Sequence, residues 1–130
     1  MNSYLSNEET LKRRKETRDA VLGPSKYSVG TDVISAPLLE WSDSAVWDVW
    51  SHEDLSVKNR CLVTITVLAI QGRLEQLELH IRGALNNGWT VTELAQWVNH
   101  VAVYGGVAAG AGAMGIAQKV AKELETKSLS

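Results

Sequence analysis

The longest apolar stretch of the chain, Cys61 to Ile70, limits the fold more than any other feature. Val63, Ile65 and Val67 are β-branched and locally favour a strand. The segment 57–71 is nevertheless long for a strand, and no neighbouring segment supplies a partner strand. A helix is therefore expected over 57–71, with Ser56 at its start and Gly72 ending it. Its interior, Leu62 to Ile70, is apolar nearly all round, so burial on several sides is expected. The run is far too short to cross a bilayer, which takes about 20 apolar residues.

The flanking segments carry helical signals of their own. Ser6 to Glu9 has capping-box spacing and introduces a charged helix to about Leu22, stopped by Gly23-Pro24. Residues 25–35 read as a loop rich in Ser, Gly and Asp. A second helix is expected from near Pro37, tolerated in a first turn, with a break near Ser42-Asp43-Ser44. A fourth is expected over 73–87, with Leu74, Leu77, Ile81, Ala84 and Leu85 at helical spacing and Asn86-Asn87-Gly88 as a left-handed stop. Thr90 to Glu93 is a second capping box, opening a fifth helix with Leu94, Trp97, Val98, Val101 and Tyr104. A sixth, rich in Ala and Gly, starts near 106 and runs into a polar tail, Lys122 to Ser130. The expectation is one all-α domain of six helices over 1–130, with 1–35 as N-terminal helix and loop and 36–126 as helical core.

Composition narrows the function classes. With 130 residues and a net charge of −2, nothing attracts nucleic acid or an anionic membrane, and neither is expected as a partner. The first fifteen residues are polar and charged, without the apolar core of a signal peptide. A single cysteine, Cys61, cannot form an internal disulfide, so a cytoplasmic setting is expected. Its apolar neighbours predict a buried, inert thiol. Five Trp, three Tyr and no Phe suit pockets and interfaces, because indole N–H groups need partners when buried; filling core space is the plainer reading.

Several motifs can be weighed by their chemistry. Gly110-Ala-Gly112-Ala-Met-Gly115 matches the dinucleotide fingerprint by letter, but that motif works only between a strand and a helix, and here the preceding segment is helical. Small residues that let helices approach closely are the better explanation. Each Gly costs about 1 kcal/mol relative to Ala in a helix, so tight packing must offset the loss. His52, His80 and His100 have no metal-ligand spacing, and no metal is expected. His80 shares a helix face with Gln76, one turn earlier, whereas Glu75 lies about 140° round the axis. A helical His with apolar neighbours is either a hydrogen-bonded structural residue or a proton carrier. Lys58 and Arg60, at the mouth of the third helix, either hold a carboxylate or are solvated.

The stretch from Trp47 to Ala121 resembles the carboxymuconolactone decarboxylase family. The resemblance rests on Ala45-Val-Trp47-Asp-Val-Trp50 and Asn59-Arg60-Cys61-Leu-Val-Thr-Ile65. It continues in Glu75-Gln-Leu-Glu-Leu-His80-Ile-Arg82-Gly-Ala84 with Asn86-Asn87-Gly88, and in Ala102-Val-Tyr104-Gly-Gly106-Val-Ala-Ala109. Arg18 to Gly23 also resembles the family's opening helix. The chain departs from the pattern at Gly105, where the decarboxylases carry Cys, and at Gly115 and Ser44, where they carry His. The peroxidase branch of the fold needs a Cys-x-x-Cys-His element, and the chain has none.

The resemblance implies an all-helical, alkylhydroperoxidase-like fold assembled as a homo-oligomer, trimer or hexamer. It also implies a cofactor-free carboxy-lyase acting on a small carboxylated lactone or similar keto acid in aromatic-compound breakdown. His80 and Glu75 take the family's catalytic positions, and Arg60 and Arg82 its arginine positions. The substrate-binding set is Arg60, Arg82, Trp47, Tyr104, His100 and Trp41. Decarboxylation without a cofactor requires a held carboxylate, a stabilised enolate oxygen and one proton returned to carbon. Imidazole suits that last task, guanidinium the first, and the aromatic rings would wall the pocket. A lactone hydrolase or isomerase on the same scaffold, and a non-catalytic oligomeric binding module, are the alternatives.

Overall fold

The computed structural model describes residues 8–23 and 32–129. Among the described residues six helices follow in chain order: α1 (Glu8–Leu22), α2 (Ser35–Trp50), α3 (Val57–Gln71), α4 (Leu74–Asn86), α5 (Val91–Gly105) and α6 (Val107–Leu129). Among the described residues there is no strand, and no helix is long and apolar enough to cross a membrane. The chain divides into two compact units, Met1–Val57 and Lys58–Ser130.

In the first unit α1 packs on α2. Arg14 Nε meets Asp48 Oδ1 at 3.1 Å with both side chains nearly enclosed, and Arg18 Nη1 meets Asp43 Oδ1 at 3.1 Å. Ser6, the expected cap of α1, and most of the expected loop lie outside the described residues. The start of α2 is organised by Asp32, whose carboxylate accepts the Ile34 and Ser35 amides at 3.0 Å each. The helix therefore begins two residues before Pro37.

The expected break at Ser42-Asp43-Ser44 does not occur. The Ser42 and Ser44 hydroxyls donate back to the carbonyls of Leu39 and Trp41, at 3.3 and 3.2 Å. Turned onto the helix in this way, they satisfy themselves without opening the ladder.

The second unit is built on α6, against which both α4 and α5 pack. Ile65, Ala69, Leu77, Ile81, Leu94, Trp97, Val101, Ala113 and Val120 belong to one buried cluster. The bounds of α3 follow the sequence expectation, and Gly72 (φ +69°) ends it in the left-handed region. Gly88 (φ +101°) does the same after α4.

Burial of α3 on several sides is not what the chain achieves. Cys61, Ile65 and Ala69 form one buried seam, while Leu62, Val63, Val67 and Ile70 remain 40–55% exposed. Among the described residues one flank of α3 is covered, and part of the remainder faces the cavity described below.

The α5–α6 hairpin turns at Gly106 (φ +100°) and closes tightly at one point. A Cβ on Gly110 would lie 2.6 Å from the Ala102 Cβ and 3.0 Å from its Cα. Gly110 thus serves helix approach, in a helix with no preceding strand, whereas Gly112 and Gly115 have room for a Cβ.

The polar tail expected from Lys122 onward continues α6 to Leu129. One ion pair holds the extension and a second lies just before it. Arg82 Nη2 meets Glu123 Oε2 at 2.6 Å, and Lys119 Nζ meets Glu78 Oε1 at 2.6 Å.

Candidate functional site

His80 lies on α4 between the buried positions Leu77 and Ala84, which explains its setting: a residue at i+3 from one and i−4 from the other shares their inward face. The ring is partly buried, with Nδ1 fully enclosed. Burial pushes its pKa below the ordinary 6.5, because the protonated ring loses hydration there. Burial therefore favours the uncharged ring. Glu75, in the first turn of the same helix, is exposed. The two side chains lie about 140° apart round the axis.

The arginines differ from one another. Arg82 is held by Glu123 at 2.6 Å and Glu78 at 3.3 Å. These bonds, that to Glu123 foremost, raise its pKa despite partial burial. Glu78 in turn binds Lys119, which lowers its pKa. The resulting chain, Lys119–Glu78–Arg82–Glu123, ties α4 to α6 and occupies the guanidinium with protein carboxylates. Arg60, partly buried, stands in the first turn of α3.

His100 and Tyr104 come together. Their rings stack one turn apart on α5, with centroids 5.0 Å apart and planes inclined by 18°. Both line a cavity of about 600 Å³ in the second unit. Helix α3 contributes Leu62, Thr66 and Ile70 to it, and α5 contributes Gln96, Trp97 and Val101. Trp89, just before α5, closes one side. His80, Glu75, Arg60 and Arg82 are not among the residues lining this cavity.

The sequence reading did not assign Trp89, Trp97, Thr66 or Gln96 to a site. The signal was present in spacing: Trp97, His100 and Tyr104 share one face at i, i+3 and i+7, as do Leu62, Thr66 and Ile70 at i, i+4 and i+8.

Trp47 and Trp41 belong to the first unit. Trp47 is buried beside Trp50, ring centroids 5.9 Å apart, whereas Trp41 is 67% exposed. Cys61 is the enclosed thiol that its neighbours predicted. Only 1% of it is exposed, and desolvation pushes its pKa to about 11. Thiolate chemistry at neutral pH is thereby suppressed. Among the described residues no group of three or more His, Cys, Asp or Glu could hold a metal ion.

An all-α protein emerges, with a partly buried imidazole, an aromatic-walled cavity and no reactive thiol among the described residues. The chain belongs to the carboxymuconolactone decarboxylase family, whose model matches residues 36–119. It is 32% identical over 124 residues to a 4-carboxymuconolactone decarboxylase of Acinetobacter baylyi, covering 92% of each chain. It is 36% identical over 91 residues to a nitrosuccinic acid decarboxylase of Metarhizium robertsii, covering 69% of this chain and 61% of that one. No solved structure gives a significant match. These relatives support a carboxy-lyase with a small carboxylate substrate.

Proposed function

We propose that the chain decarboxylates a small carboxylated lactone, 4-carboxymuconolactone or a close analogue, without a cofactor and with His80 as the proton carrier. The observation that supports this reading is the inward-facing His80, partly buried with Nδ1 enclosed, in a chain matched over 92% of its length to a decarboxylase of that name.

The chemistry follows from what must move. The bond between ring carbon and carboxylate carbon breaks, CO₂ departs, and the electron pair spreads into the conjugated lactone carbonyl. One proton must then reach carbon, so each turnover consumes one proton from solvent. A histidine whose pKa is lowered by burial rests neutral, takes that proton, and releases it more readily than an ordinary imidazolium. Such a group typically contributes about 10²–10⁴-fold in rate.

Arg60, partly buried in the first turn of α3, anchors the substrate carboxylate in this reading, and Arg82 is held by Glu78 and Glu123. Glu75 acts on His80 through substrate or through another helix, given their angular separation on α4. The protein works as a homo-oligomer, trimer or hexamer.

The reading is tested by supplying 4-carboxymuconolactone and following CO₂ and the lactone ring together. One CO₂ released per substrate with the ring retained is expected. Ring opening without CO₂ contradicts it and indicates a hydrolase on the same scaffold.

A further inference from the structure

We propose that the cavity between α3 and α5 binds a flat, uncharged ring compound carrying one hydrogen-bond acceptor, at a site distinct from His80. Its volume, about 600 Å³, falls within the roughly 300–1,000 Å³ of small-molecule pockets.

The polar inventory of the walls selects the ligand. Trp97 Nε1 donates to Thr66 Oγ1 at 3.0 Å, and Trp89 Nε1 donates to the Lys58 carbonyl at 3.0 Å. Both indole N–H groups are thus spent on protein, which leaves the indole carbon surfaces to a ligand. Leu62 and Ile70 add aliphatic surface from α3. Gln96, His100 and Tyr104 carry the groups that can reach a carbonyl or ring oxygen.

Charge decides against an anion. No Lys or Arg is among the lining residues, and the one charged lining residue is Glu93. Glu93 is bound to Lys58 at 3.1 Å and to the Thr90 amide at 3.0 Å. A carboxylate entering this space would lose hydration with no Lys or Arg among the lining residues to meet it, and the nearby Lys58 is already paired with Glu93. A neutral ring meets no such cost. The inference concerns binding alone and does not rest on the lyase reading.

The test is calorimetric titration of the full chain with coumarin, a flat uncharged lactone, and separately with coumarin-3-carboxylate. Coumarin is expected to bind about tenfold tighter or more, because the carboxylate brings an unpaired charge into the cavity. His100→Ala and Tyr104→Ala alter exposed residues. Each is expected to weaken coumarin binding by about fivefold with an unchanged unfolding midpoint.

Absence of coumarin binding, equal or tighter binding of the carboxylate, or insensitivity to both substitutions overturns the proposal. So does sedimentation showing that coumarin and self-association exclude one another, which would assign the groove to a second copy of the chain.

Discussion

The indole N–H of Trp97 donates to the Thr66 hydroxyl at 3.0 Å, and that hydroxyl donates in turn to the Leu62 carbonyl at 2.7 Å. One threonine thereby satisfies a nearly buried tryptophan and fixes α5 against α3. Thr66→Val keeps the shape of the side chain but strands the indole N–H. A buried donor left unpaired costs about 1–3 kcal/mol, so chemical denaturation is expected to show a loss of that size. Thr66→Ser, which restores the hydroxyl, is expected to recover most of it.

The α5–α6 hairpin makes opposite predictions for two glycines of α6. A Cβ at Gly110 collides with the Ala102 Cβ, 2.6 Å away, and overpacking of this kind costs about 1–3 kcal/mol. At Gly115 a Cβ meets nothing within 4 Å. There the removal of helical glycine is expected to stabilise by about 0.5–1 kcal/mol. Thermal unfolding of Gly110→Ala and Gly115→Ala should therefore move in opposite directions.

Burial of His80 gives stability a pH dependence whose sign is set by the lowered pKa. Above about pH 6.5 the ring is neutral in both folded and unfolded states, and its stabilising share is complete. As pH falls below 6.5, the unfolded chain takes up the proton first, so stability declines until the folded-state value is passed. His80→Leu is expected to flatten that decline in a series of denaturation curves between pH 7.5 and 5.

Much of the scaffold was legible because its punctuation is local. Gly72 and Gly88 adopt positive φ, and the reciprocal bonds between Thr90 and Glu93 form a capping box. Each of these signals works within a few residues of chain. The continuity of α2 through Ser42 and Ser44 was not legible, because the same hydroxyls that break a helix can also bond back to it. Partnerships between distant segments were equally hidden. Arg82 shows its Glu78 neighbour in the sequence, one turn away, but not Glu123 on α6.

The site was legible in part. His100 and Tyr104 belong to one face of α5 by spacing alone, and they do stack. Thr66 and Trp97 required knowledge of which flank of α3 meets α5. The extent of α3 burial was over-read for a related reason: an apolar surface records what a helix can bury, not how many neighbours reach it.

The central claim, that His80 carries the proton in a cofactor-free decarboxylation, is tested most directly by one variant. CO₂ release from 4-carboxymuconolactone is measured for the native chain and for His80→Gln, with circular dichroism verifying equal helix content. A loss of about 10²–10⁴-fold in kcat is predicted. Undiminished CO₂ release by a folded His80→Gln protein would contradict the account.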